Sequence, residues 1–146
     1  NSMASIWFQG LPDVHMLSEM GKGNMGEWLD IQFTAIGDNY IKASMPVDHR
    51  TKQPFGLLHG GASVVLVETL GSVASALVVD MQQYMCVGME VNANHVRSAR
   101  SGRVKATCTP IHLGATSHVW DIRIHDEQHK LLCVSRLTVA VVKRKG

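Results

Sequence analysis

The chain has 146 residues and a formal net charge of +2, enough for one domain with a proper core and too little charge to call for a nucleic-acid partner. Hydrophobic residues make up 45% and charged residues 18%, which excludes a disordered chain. The three cysteines, Cys86, Cys108 and Cys133, are odd in number, far apart and set in apolar sequence, so they read as reduced core residues and place the protein in the cytoplasm.

Asn1-Ser2-Met3-Ala4 reads as an artificial leader remnant at or around the natural start, with no signal peptide after it. Pro12 to Met20 predicts a short helix with Val14, Leu17 and Met20 on one side, broken by Gly21-Lys22-Gly23-Asn24, and Met25 to Leu29 predicts one more turn. From Ile31 the period changes to two. Ile31 and Phe33, the turn Gly37-Asp38-Asn39, and Ile41, Ala43, Met45 and Val47 alternating with Tyr40, Lys42, Ser44 and Pro46 predict a hairpin.

The stretch Gln53-Pro54-Phe55-Gly56-Leu57-Leu58-His59-Gly60-Gly61 is a Pro/Gly-rich loop, and it opens an apolar run from Ala62 to Val79, about five helical turns. Glu68 is the one ionisable residue in that run, and an apolar helix tolerates a lone carboxylate only if it is paired, hydrogen-bonded or used. Glu68, Thr69, Ser72 and Ser75 interrupt the run too often for a membrane span, so the helix is expected inside a sheet that wraps it.

The rest reads as strand. Cys86 to Val96 comes first, then a basic turn Arg97 to Gly102, then Val104, Ala106 and Cys108 in alternation. His112-Leu113-Gly114-Ala115 is expected as a tight loop. His118, Trp120, Ile122 and Ile124 alternate next, and Leu131 to Val142 follows, ending in a solvated basic tail at residues 143–146. The turns after the helix are hairpin-sized, so these strands are expected to be antiparallel neighbours. The fold class is therefore α+β, a single domain over residues 5–142 with a six-stranded antiparallel sheet wrapped around one long central helix, the hotdog arrangement. A sheet covers only one side of a helix, and a second copy of the chain is the expected cover for the other.

Gln53 to Ala62, with Glu68 nine positions after His59, resembles the hotdog acyl-CoA thioesterases. Asn92-Ala93-Asn94-His95-Val96-Arg97-Ser98, Pro110-Ile111-His112-Leu113-Gly114 and Val134-Ser135-Arg136-Leu137-Thr138 continue the likeness from about Gly23 to Val142. Within that family it is most similar to the bacterial branch that cleaves 1,4-dihydroxy-2-naphthoyl-CoA in menaquinone synthesis and the sister branch that proofreads aryl-loaded carrier protein. Ala115-Thr116 departs from a more polar pair in the family. The resemblance implies an acyl-CoA substrate, coenzyme A being part of the substrate and no separate cofactor, and a tetramer made of two dimers. It nominates His95, Val96, Arg97 and Ser98, together with His112, Leu113, Gly114, Ala115, Thr116 and Ser117, for coenzyme A, and Gly88 for the pantetheine or acyl arm.

The residues support that chemistry on their own terms. Thioester hydrolysis needs an activated water or a nucleophile, a donor to polarise the carbonyl, and an exit for the thiolate. Glu68 serves as general base or nucleophile. The Gly60 and Gly61 amides at a helix N-terminus suit a developing oxyanion. His59 is placed to assist the carbonyl or the leaving sulfur, Gln53 to orient water or acyl group, and Ser72 lies one turn beyond Glu68 on the same face. Phe55, Val65 and Met89 are the expected acyl-pocket lining. Arg97, Arg100 and Arg103 form the densest basic cluster, either a phosphate site or a wet turn. Taken singly, Glu68 fits a structural carboxylate as well as a functional one, and His59-Gly60-Gly61 beside it decides for function. No metal-ligand spacing occurs, so no metal is expected, nor any nucleic-acid or membrane partner. Along one helix His59 and Glu68 stand roughly 13–14 Å apart, too far to share one reacting centre, so two antiparallel chains are expected to build two shared sites per dimer. A hotdog hydratase or dehydratase on a fatty acyl thioester, and a non-catalytic acyl-CoA-binding protein, are the alternatives.

Overall fold

A computed structural model describes residues 5–145, so residues 1–4, read above as a leader remnant, and Gly146 lie outside the described residues. Two short helices, α1 (Val14–Glu19) and α2 (Met25–Trp28), precede the hairpin of β1 (Gln32–Gly37) and β2 (Tyr40–Pro46). The long helix α3 (Gly60–Val78) follows, and then β3 (Tyr84–His95), β4 (Arg103–Leu113), β5 (Ser117–His125) and β6 (Leu131–Lys143). Asp13 opens α1 by accepting the His15 N–H, and the β1–β2 turn is the two-residue Asp38-Asn39.

The six strands form one antiparallel sheet in the order β1-β2-β4-β5-β6-β3. β3 and β4 are therefore not neighbours, which corrects the expectation drawn from the shortness of residues 97–102. β3 pairs with β6 at one edge of the sheet, while β4 lies between β2 and β5. Three strand spacings amount to only about 14 Å, so an extended loop of this length crosses the sheet end. The crossing is pinned by Val96 N–H to Leu132 O (2.8 Å), Leu58 N–H to Ala99 O (2.8 Å) and Val47 N–H to Gly102 O (2.8 Å). It carries His95 to Ser98 onto the loop that precedes α3.

α3 lies on the concave face of the sheet and buries Ser63, Leu66, Val67, Leu70, Gly71, Ala74 and Ser75, a stripe repeating every three or four residues. The stripe meets Ile41, Ala43, Met45, Trp120, Ile122, Ile124, Leu137 and Val139 from the strands. At Gly71 a Cβ would run into Leu137 and Ile122, so glycine there sets how closely helix and sheet approach. Length and composition alone would let α3 cross a membrane, and here one of its faces is taken by the sheet. The opening segment fastens the structure at a point its sequence does not advertise. Trp7 stacks on Trp120 (centroids 6.5 Å apart) and donates to Gly37 O (2.7 Å), and Phe8 N–H reaches Leu77 O (2.8 Å) at the end of α3.

Two boundaries also differ from expectation. His112 and Leu113 belong to β4, which continues past an irregularity between Pro110 and His112, and the loop proper is Gly114 to Thr116. β6 runs to Lys143, and Arg144 donates to Gln83 O and Met81 O (both 2.7 Å), so the basic end is tied to the turn after α3.

Candidate active site

The tip of α3 is the first half of the site. His59 is the N-cap, extended at φ −69° and ψ 131°, and its Nδ1 accepts the Gly61 N–H at 2.7 Å. That hydrogen bond removes Gly61 from the expected oxyanion donors. The Gly60 N–H has no acceptor among the described residues. Gly60 faces a cleft of about 420 Å³ whose polar lining includes Gln53, His95, Arg97 and Ser98. A Cβ on Gly60 would stand 3.0 Å from His95 Nε2, which shows how near the imidazole comes to the helix tip. Gln53 Oε1 accepts from Phe55 N–H (2.6 Å) and Leu57 N–H (3.3 Å), which leaves its amide NH₂ to donate into the cleft.

The second half lies further along the same helix. Glu68 is half-buried on the flank of α3 that meets β3, beside the buried stripe, and has no hydrogen bond or ion pair among the described residues. Its carboxylate presses on the backbone of β3 at Gly88, where any Cβ would collide with Oε2. The strand register slips between Gly88 and Glu90, leaving Met89 bulged beside this contact. Ser72, one turn on, is half-buried and also lacks a partner among the described residues. Gly60 and Glu68 are eight residues apart on one helix, roughly 12 Å, so one chain does not bring the carboxylate to its own free amide.

The two segments nominated for coenzyme A separate in the same way. Ser117 pairs with Ala140, which pairs with Val87, whereas His95 pairs with Cys133. The His112–Ser117 turn thus lies about eight strand residues, roughly 26 Å, along the sheet from His95–Ser98. The turn is closed by Gly114 N–H to Ser117 O (2.8 Å) and tied to β6 by Val141 N–H to Thr116 O (2.9 Å). Behind it stands a buried group that motif reading missed. Ser75 Oγ accepts from Trp120 Nε1 (2.7 Å) and pairs with His118 Nδ1 (2.8 Å). Burial, helped by the neighbouring His112, holds the His118 pKa below the ordinary histidine value. The available signal was alternation, which puts His118 on the same strand face as Trp120.

The arginine cluster does not survive as a unit. Arg103 is taken by Asp30, through Oδ2 (2.8 Å) and the carbonyl oxygen (2.7 Å), and by Ser44 Oγ (3.1 Å), so it is a structural clamp. Only Arg97 of the three lines the polar cleft. The expected acyl lining divides too. Val65 lines a second, apolar cleft of about 730 Å³ with Met25, Trp28, Leu29 and Ala62, while Phe55 (84% exposed) and Met89 (67%) project into solvent. Met25 and Trp28 went unremarked because two apolar residues in a four-residue helix make no periodic signal. All three cysteines are free, with thiol pKa values raised by burial. Among the described residues no cluster of His, Cys, Asp or Glu is arranged to hold a metal.

One long helix packed on a six-stranded antiparallel sheet is the hotdog scaffold, and the comparisons put this one in a thioester-cleaving class of protein. The thioesterase superfamily model matches residues 55–133, and the chain belongs to that family. It is a thioester hydrolase. The chain is 60% identical over 137 residues to the 1,4-dihydroxy-2-naphthoyl-CoA hydrolase of Escherichia coli (strain K12), covering 94% of this chain and 99% of that one. It is 48% identical over 137 residues to the proofreading thioesterase EntH of Cronobacter turicensis, covering 94% and 98%. A crystal structure of a mutant of thioesterase PA1618 from Pseudomonas aeruginosa superposes with a TM-score of 0.94 at 57% identity, covering 96% of this chain and all (100%) of the other.

Proposed function

We propose that this thioesterase hydrolyses an aryl or bulky acyl-CoA, 1,4-dihydroxy-2-naphthoyl-CoA or a benzoyl-type CoA, at two sites shared across a homodimer. The observation that carries the reading is the placement of Glu68. Its carboxylate is unpaired and held against Gly88, roughly 12 Å from the free Gly60 N–H of its own chain. Two α3 helices lying antiparallel across a two-fold axis would put each carboxylate beside the other chain's helix tip. The same operation reunites the two coenzyme A segments. The uncovered surface supports it as well. The outer edge of β3 has no partner strand among the described residues, and Met85 and Val87 on that strand are 43% and 45% exposed.

In this site the Gly60 N–H donates to the thioester oxygen and favours the tetrahedral oxyanion. Glu68 either takes a proton from water, whose oxygen attacks the carbonyl carbon, or attacks that carbon itself to give an anhydride that water then opens. Collapse breaks the C–S bond and the thiolate leaves with a proton, giving the free acid and coenzyme A. His59, already capping the helix through Nδ1, keeps Nε2 for the leaving sulfur or the carbonyl. Gln53 donates to water or acyl group, and Ser72 touches the same space. His95, Val96, Arg97 and Ser98 of one chain and His112 to Ser117 of the other hold the coenzyme A carrier. A role in menaquinone synthesis follows from the naphthoyl substrate, two dimers complete a tetramer, and three reduced thiols suit the cytoplasm.

Subunit complementation tests the shared site. His59→Ala and Glu68→Ala chains, each nearly inactive alone, are refolded together, and the heterodimer is isolated and assayed with benzoyl-CoA and a thiol reagent. One of its two sites is intact, so about half of the wild-type rate per dimer is expected. A verified heterodimer without activity would defeat the shared geometry.

A further inference from the structure

We propose that the apolar cleft beside the α3 tip is the acyl pocket and that Trp28, seconded by Met25, selects flat aromatic acyl groups over straight chains. This deepens the thioesterase reading above and rests on it.

The helix tip separates two clefts of opposite character. Gln53, His95, Arg97 and Ser98 give the first its polarity, and Met25, Trp28, Leu29, Ala62 and Val65 make the second greasy. Gly60 lines the first and Gly61 the second, so consecutive residues form the divide. An acyl-CoA is divided in the same sense, with an anionic carrier on one side of the thioester and an apolar group on the other. Laid across the tip, it puts its carbonyl at the free Gly60 N–H, its carrier among polar side chains and its acyl group against Val65 and Trp28. The reverse orientation would press the carrier's polar groups against Met25 and Trp28, with only Arg50 and Lys52 to meet its charge, and leave the acyl group among polar side chains, which is unfavourable at both ends.

The preference for a ring comes from α2. Trp7 and Trp120 stack in the core, whereas Trp28 is 76% exposed and contributes no packing that explains its size. Met25 is 61% exposed and three positions earlier, on the same side of the turn. A planar acyl group gains offset stacking on the indole and contact with the polarizable sulfur, and a saturated chain gains contact area alone. Arg50 at the rim is already held by Asp48 (2.6 Å), while Lys52 beside it is exposed and has no ion pair among the described residues.

The test measures kcat/KM for benzoyl-CoA and octanoyl-CoA on the wild-type protein, Trp28→Ala and Trp28→Phe. A non-hydrolysable ketone analogue of benzoyl-CoA is titrated in parallel by calorimetry. In Trp28→Ala the benzoyl-CoA value is expected to fall about tenfold and the analogue's Kd to rise about as much, with octanoyl-CoA changed less than about threefold. Trp28→Phe, which keeps a flat ring, is expected to retain most of the preference. Equal losses for both substrates, or an unchanged benzoyl-CoA value, overturn the assignment while leaving the hydrolase reading intact. Analogue binding that depends on Trp28 in a protein that cleaves neither ester sinks the hydrolase reading and keeps the pocket.

Discussion

The two faces of α3 obey different rules. On the sheet side Ser63, Leu66, Val67, Leu70, Gly71, Ala74 and Ser75 are buried, and the polar Ser75 is satisfied by Trp120 and His118. On the flank beside β3, Glu68 and Ser72 are only half-buried and have no partners among the described residues. A face that only packs closes its hydrogen bonds and fills its space. A flank that leaves a carboxylate unanswered on an apolar helix is where the proposed function puts the substrate and the second chain.

Exchanging the damage between the faces gives the largest expected effects. Glu68→Gln is expected to lower kcat by about a thousandfold with the unfolding midpoint unchanged. Gly71→Leu, pushed into Leu137 and Ile122, is expected to cost about 3 kcal/mol in urea unfolding with little change in rate per folded molecule. A Glu68→Gln enzyme of normal rate would show that this carboxylate takes no part in the reaction.

Gly88→Ala sharpens the contrast, because it moves the carboxylate without removing it. The new methyl occupies the place of Glu68 Oε2, so kcat is expected to fall about a hundredfold with KM nearly constant. Smaller effects should divide the arginines. Arg97→Ala is expected to raise KM for a CoA ester about tenfold, through loss of a phosphate contact, with stability unaffected. Arg103→Ala should leave KM alone and cost about 1 kcal/mol, since its ion pair with Asp30 is partly exposed.

The smallest effect is on pH dependence. His118 titrates lower in the folded chain than in the unfolded one, so the unfolded state binds more protons as pH falls below the ordinary value of 6.5. Its contribution to stability is therefore complete at neutral pH and lost on acidification through that window. His118→Gln, which can still accept from Ser75, is expected to flatten the melting temperature between pH 7 and pH 5. An unchanged slope would show that His118 has no part in it.

The elements of this fold were legible because each has a local signature. The Pro/Gly-rich loop opening an apolar run marks α3, and period-two alternation marks β2, β4 and β5. Glu68 stood out as the one charge in that run, and His59-Gly60 as the start of a helix. What the residues could not show was pairing, because hydrogen bonds between strands depend on partners distant in the chain. A short turn before β4 looked like a hairpin and proved to be a crossing of the sheet end. That crossing sets Arg97 beside Gly60 while Arg103, six residues on, clamps Asp30 elsewhere. Donor availability is equally non-local: Gly60 and Gly61 read alike in sequence, and the His59 ring leaves only Gly60 free.

The amino-acid sequence by itself determined the kinds of element, their order and the lone carboxylate of the central helix, since periodicity, turn chemistry and the cost of a bare charge act over a few residues. Only the tertiary structure decided which strands meet, that Gly88 makes room for Glu68, that the helix tip divides a polar cleft from an apolar one, and that the Gly60 N–H is left free while Gly61 is not. Those facts depend on the closeness of residues far apart in the chain, which the packing of α3 on the sheet alone establishes.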